Sequence, residues 1–333
     1  GSRASMAEPL TSPSVLVLGA TGQLGRELKD AVQRDPAFST DATWTWADRQ
    51  LCDLSRPDLV RDFLQILKPG WIINAAAYTA VDRAESEAEL ALRVNADAVA
   101  ELARHARQTG AVLVHYSTDY VFNGELGRPY TEADRTAPRS VYGRTKLAGE
   151  QAVLTEAERH LLLRTSWVFA RHGGNFLKTM LKLAQERDAL RVVADQWGAP
   201  TSARMLADQT LQALRRVWRG DLTDPWGLYH LTCAGQTHWH GYAVHVLTQA
   251  AAWGVSLKVP PAQVQAITSS QFPTPATRPM NSRLDCTRWQ QHFGVDLPDW
   301  RAEVDQVLAD VLMDQGVLAP DMRAKITSVR SDQ

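Results

Sequence analysis

A doubly wound α/β fold, with a parallel Rossmann-type sheet carrying a smaller α+β lobe, is predicted by three observations. Short aliphatic or β-branched runs alternate with amphipathic stretches over about the first 170 residues, the connections between them are short, and a glycine-rich turn follows the first run. Strand–helix alternation with short links builds a parallel sheet covered on both faces. Ser14 to Leu18 reads as a buried strand, and Gln23 to Gln33 as the helix after the glycine turn. Thr43 to Ala47 is the second strand, and Asp58 to Leu67 a helix closed by Pro69-Gly70. Trp71 to Asn74 is the third strand, and Ala84 to Gln108 a long helix ended by Gly110. Ala111 to Tyr116 is the fourth strand, Tyr142 to Glu156 a helix and His160 to Thr165 the fifth strand. Glycine and proline punctuate these elements where helices stop.

Beyond about residue 170 the rhythm loosens. Asn175 to Arg187, Ser202 to Trp218 and Trp239 to Trp253 read as helices, Gly227 to Thr232 as extended, and Asp299 to Met313 as a final helix. Five prolines lie between Pro260 and Pro279. The expected division is a dinucleotide-binding domain over 12–170, to which later segments could return, and a mainly substrate-binding lobe over 171–315. Residues 1–11 and 319–333 are expected to be flexible.

Composition excludes several function classes. Lys+Arg 36 against Asp+Glu 37 gives a net charge of −1, so bulk attraction to nucleic acid is not expected. The three cysteines, Cys52, Cys233 and Cys286, have no CxxC spacing, which excludes a disulfide framework and a cysteine zinc site. No apolar run could span a bilayer. Gly1 to Ser5 read as an expression remnant with no signal peptide after them, so the expectation is a cytoplasmic chain.

The turn Gly19-Ala-Thr-Gly22-Gln23-Leu24-Gly25 follows a strand and opens a helix. A helix amino terminus offers free N–H donors and a positive dipole end to a pyrophosphate, and glycine permits close backbone approach. Asp48 lies 23 residues after Gly25, where an acid would meet the adenosine ribose. Its neighbour Arg49 could instead hold a 2′-phosphate, so NADH and NADPH both remain open. Tyr142 and Lys146 are four residues apart and share a helix face. A free phenol has a pKa of about 10, and an adjacent ammonium would lower it toward proton transfer near neutrality. The helix follows the fourth strand, whose carboxyl end carries Ser117, Thr118, Asp119 and Tyr120. Ligands of such sheets sit at the carboxyl ends of strands, so Thr118 could polarise a carbonyl beside Tyr142.

With its glycine turn, Ser/Thr and Tyr-xxx-Lys, the chain resembles the extended short-chain dehydrogenase/reductase family. Within it the chain is similar to the branch that reduces thymidine-diphosphate 4-keto-6-deoxysugars. Gly19 to Glu27, Ile73 to Asp82, His115 to Phe122, Val141 to Glu150, Arg164 to Val168, Gln196 to Thr201 and Pro273 to Arg283 carry the resemblance. The resemblance implies NADH- or NADPH-dependent reduction of the C4 ketone of dTDP-4-dehydro-L-rhamnose to dTDP-L-rhamnose. Thr118, Tyr142 and Lys146 would be catalytic. Gly22, Gln23 and Leu24 would line the pyrophosphate, Asp48, Asp53 and Leu54 the adenosine side, and Ala77, Tyr78 and Thr79 the nicotinamide half. Tyr116 and Lys146 would also touch the cofactor. Val81, Thr118, Asp119, Tyr120 and Trp167 would face the sugar nucleotide, with Arg278 and Asn281 over its diphosphate. The family commonly has His where this chain has Tyr78, and Asn where it has Gly174.

The resemblance also implies dimers around Mg²⁺ held by three glutamates. Glu27 matches the first, but Arg204 and Arg301 stand at the other two, so neither Mg²⁺ nor that dimer is expected, and the chain is expected to be a monomer. His238-Trp-His240 is read as a helix-terminal pair rather than a metal site, and Asp82-Arg83-Ala-Glu85 as a solvated helix start. Two alternatives stay open: a nucleotide-sugar epimerase or dehydratase of the same fold, and a non-catalytic dinucleotide-binding regulatory subunit.

Overall fold

The computed structural model describes residues 13–328. The first half alternates as the sequence predicts: β1 (Ser14–Leu18), α1 (Gln23–Arg34), α2 (Pro36–Asp41), β2 (Thr43–Ala47), α3 (Pro57–Leu67) and β3 (Trp71–Asn74). After the short helices α4 (Val81–Ala84) and α5 (Ala88–Leu92) come α6 (Ala98–Thr109), β4 (Val112–Thr118), α7 (Val141–Glu156) and β5 (His160–Thr165). In the second half, β6 (Val168–Phe169), α8 (Phe176–Glu186), β7 (Arg191–Val193), β8 (Trp197–Gly198) and β9 (Thr201–Ser202) precede α9 (Ala203–Trp218) and β10 (Gly227–His230). The last elements are β11 (Thr237–His238), α10 (Trp239–Ala252), β12 (Gln265–Ile267), α11 (Thr287–Phe293), α12 (Trp300–Asp314) and α13 (Pro320–Ser328).

Six parallel strands form one sheet in the order β10-β5-β4-β3-β1-β2. Alternation along each strand divides the core. Val15 and Val17 face a cluster with Leu28 of α1, Leu206 of α9 and Leu308 of α12. Leu16 and Leu18 face the other side, with Val60 and Leu64 of α3, Leu102 of α6 and Val153 of α7. Both faces are covered, which is why Val15–Leu18 of β1, Ile72–Ile73 of β3, Val112–Val114 of β4 and Leu161–Leu163 of β5 run apolar without alternation. The order reverses between β1 and β3, whose ends Leu18 and Asn74 are paired. A crevice at that switch point is where sheets of this type receive ligands.

One helix expectation is corrected here, and the domain division gains detail. The stretch read as one helix over 84–108 is broken at Glu85–Glu87 and widened by a π turn at Arg93–Asp97 before α6. Much of the region expected to be mainly substrate lobe covers or extends the sheet: β10 pairs with β5, and α9, α11 and α12 contribute Leu206, Trp289 and Leu308 to its core. The smaller lobe has its own cluster, with Met180, Val192, Leu247 and Val264. Residues Pro320–Ser328, expected in a flexible tail, form α13, and Arg323 on it bonds Asp310 of α12. Residues 1–11 and 329–333 lie outside the described residues. No described helix is long and apolar enough to cross a membrane.

Candidate active site

The crevice begins at the turn after β1. Gly19 has φ +71°, and a Cβ there would meet the Ala76 nitrogen at 2.6 Å. A Cβ on Gly25 would fall 2.0 Å from the Gly19 carbonyl oxygen. Only glycine lets α1 start this close to the strand end. Gly22 caps α1 with no side-chain bond, and the first turn carries no acid, so its N–H groups are open to an anion. The Gln23 Oε1 accepts a hydrogen bond from the Asn175 side-chain amide at 3.2 Å. These features fit a dinucleotide pyrophosphate.

At the end of β2, Asp48 Oδ1 accepts from the Leu51 amide at 2.9 Å. The Arg49 side chain is 82 % exposed and lies 3.8 Å from Asp53, which in turn accepts from Ser55. Leu54 is buried beneath them. Across the switch point, Ala77 and Thr79 are exposed, while the Tyr78 backbone is gripped at both ends by Asn95. The Tyr78 hydroxyl donates to Glu87 at 2.7 Å.

The chemical groups meet where β4 ends. Ser140 caps α7 by accepting from the Gly143 amide, which fixes the first turn that carries Tyr142. The Thr118 hydroxyl pulls the Tyr142 phenol downward while itself donating to Asp119 at 3.3 Å, and the Tyr142 ring packs edge-on against Tyr120 with centroids 5.2 Å apart. Burial pushes the phenol up to about 12, against the opposing pull of Thr118. The expected lowering by Lys146 is therefore not realised in this arrangement, because the ammonium donates to the Tyr116 carbonyl at 2.7 Å. A protonated phenol is the form a reduction consumes. Burial pulls Lys146 down to about 8, with Glu150 opposing it.

Beneath these groups runs a buried polar network that the sequence reading did not assign. Glu150 accepts from Ser117 and pairs bidentately with Arg164, at 2.8 Å from Nη2 and 3.0 Å from Nε. The Arg164 Nη1 meets His230, whose other nitrogen meets the Tyr130 carbonyl. Glu150 lies one turn beyond Lys146 on α7, a spacing that was visible in the sequence. Its strand partners were not.

On the substrate side, Asp119 is buried with one carboxylate oxygen unpartnered among the described residues, and burial pushes it up to about 7. Val81 opens α4 beside the crevice, half-buried. Trp167 takes the left-handed conformation at φ +52°, and its ring stacks on Trp239 at 3.8 Å. That strained backbone is held by the Thr201 amide on its carbonyl.

Three predicted residues sit differently from expectation. The Tyr116 ring lies in the sheet core with its hydroxyl on Thr210, so the residue reaches the site through its carbonyl. Asn281 is 5 % exposed and fully engaged, donating to the Leu126 and Arg128 carbonyls and accepting from Arg283. Arg278 forms a bidentate pair with Asp82 at 2.7 and 2.9 Å, so Asp82 is a tertiary anchor rather than a solvated helix start. His238 caps α10 by accepting from the Gly241 amide, as read. The residues at the implied Mg²⁺ positions do not fit that ion: Arg204 pairs with Glu303, and Arg301 with Asp299.

A family profile described as the RmlD substrate binding domain matches residues 13–313. A dTDP-4-dehydrorhamnose reductase of Salmonella typhimurium is 45 % identical over 298 residues, covering 90 % of this chain and 98 % of that protein. A crystal structure of the Clostridium acetobutylicum dTDP-4-dehydrorhamnose reductase superposes with a TM-score of 0.80 at 34 % identity, over 90 % of this chain and 99 % of that one. The Bacillus anthracis enzyme, solved in complex with NADP, gives 0.80 at 31 % identity over 90 % and 100 %.

Proposed function

This chain belongs to the family of the RmlD substrate binding domain, and from that premise we infer that it reduces the C4 ketone of dTDP-4-dehydro-L-rhamnose with NADPH or NADH, giving dTDP-L-rhamnose. What supports the assignment to particular residues is that Tyr142 and Lys146 stand one turn apart on α7, and that Thr118 ends β4, whose Tyr116 carbonyl accepts from Lys146.

The first turn of α1, with Gly22, Gln23 and Leu24, would hold the pyrophosphate. Asp48, Arg49, Asp53 and Leu54 would hold the adenosine end, and Ala77, Tyr78 and Thr79 the nicotinamide end. A bound nicotinamide supplies the hydride for the sugar C4. The Thr118 hydroxyl donates to the ketone oxygen and so favours negative charge there. Tyr142 then delivers its hydroxyl proton to that oxygen, since its raised pKa keeps it loaded across the neutral range. Lys146, charged below about pH 8 and held here on the Tyr116 carbonyl, would have to turn toward Tyr142 to stabilise the phenolate left behind. Val81, Asp119, Tyr120 and Trp167 would face the sugar nucleotide, with Arg278 near its diphosphate once released by Asp82. The proposal extends to a cytoplasmic monomer that works without Mg²⁺, since guanidinium groups stand at two of the implied ligand positions.

The test is NADPH and NADH oxidation followed at the nicotinamide absorbance with dTDP-4-dehydro-L-rhamnose. Substrate-dependent oxidation over many turnovers is expected. Protein that instead retains stoichiometric dinucleotide and consumes none would favour an epimerase or dehydratase. Dinucleotide binding without any turnover would favour the regulatory subunit.

A further inference from the structure

Away from the reductive site, three ligand-type side chains converge where the loop after β6 crosses α1. Glu27 and Asp30 stand about one turn apart on α1, and His172 comes from the loop. A carboxylate oxygen of each acid and a ring nitrogen of His172 all lie within 4.8 Å of one another. The His172 Nε2 is 3.4 Å from Asp30 Oδ2. Glu27 is only 5 % exposed. The guanidinium groups whose charge reaches it are each committed to another acid: Arg34 to Asp208, Arg171 to Asp314 and Arg204 to Glu303. Two carboxylates, one of them buried, thus share one imidazole.

We propose that Glu27, Asp30 and His172 form a binding site for one divalent transition-metal ion of the zinc class. Imidazole nitrogen with carboxylate oxygen suits Zn²⁺, Co²⁺ or Ni²⁺, whereas Mg²⁺ demands oxygen ligands. Three protein ligands leave a position for water, as in open tetrahedral sites. The ion would tie the loop to α1 beside the dinucleotide turn. Gly173 of that loop lies against the Gln23 side chain, and Asn175 bonds it. The site lies wholly within one chain.

The experiment is a Co²⁺ titration of the chelator-stripped full chain, followed by visible absorption, with Zn²⁺ added in competition. One ion per chain is expected, displaced by Zn²⁺ and not by excess Mg²⁺. His172→Ala and Asp30→Asn, both partly solvent-facing, should each weaken binding by at least about tenfold. His238→Ala should leave it unchanged, and circular dichroism checks that each variant is folded. Absence of stoichiometric binding would overturn the site. So would affinity unchanged in both variants, or affinity lost in His238→Ala instead, which would mark an adventitious ion at α10.

Discussion

Replacing Glu150 by Gln removes one half of a buried ion pair whose side chains are 1 % and 4 % exposed. The carboxylate accepts three bonds from Arg164 and one from Ser117, and an amide can reproduce at most part of that set. Arg164 would then lie uncompensated between α7 and β5, with the Phe122 ring and His230 as its remaining neighbours. Breaking a buried pair from one side costs about 3–5 kcal/mol. At about 2–4 °C per kcal/mol for chains of this size, the melting temperature should fall by roughly 10 °C. Replacing both partners with apolar residues, Glu150→Leu with Arg164→Met, should recover most of the loss, because no buried charge remains. Differential scanning calorimetry of wild type, single and double variants measures this. A single-variant loss below about 1 kcal/mol, or a double variant no better than the single, would refute the reasoning.

Three other outcomes are expected. Tyr142→Phe should lower kcat by roughly 10²–10⁴-fold with folded protein, because it removes the proton donor and keeps the ring against Tyr120; steady-state turnover checks this. The kcat profile should be flat below about pH 8 and fall above it, as Lys146 loses its charge while Tyr142, near 12, stays protonated; a profile measured from pH 6 to 10 shows it. Asp119 has a folded pKa above its unfolded one, so its contribution to stability is greatest in acid and is lost as pH rises from about 4 through 7; urea melts should show Asp119→Asn gaining relative to wild type across that window.

The sheet was legible because strands buried on both faces must be apolar throughout, and each is followed by its own turn signal. The glycine turn was legible because steric closeness admits no other residue at Gly25. Tyr142 and Lys146 lie one turn apart on α7, and Thr118 closes β4, because spacing on one helix and position at a strand end are local facts. What escaped the sequence depends on distant partners. Asp82 finds Arg278 almost two hundred positions away, and Asn281 is absorbed by carbonyls near 126 and 128. The π turn in the long helical stretch follows from Asn95, which turns inward to clamp Tyr78 and whose carbonyl crowds Gly149 of α7. Tyr116 was within reach, since alternation along β4 places it on the face of Val114.

The central claim is most directly tested by single-turnover reduction of dTDP-4-dehydro-L-rhamnose with NADPH carrying deuterium at the transferable C4 position. The account predicts deuterium at C4 of the sugar in dTDP-L-rhamnose, one per NADPH oxidised. A product without the label, or sugar rearranged with no net oxidation of the nucleotide, would contradict it.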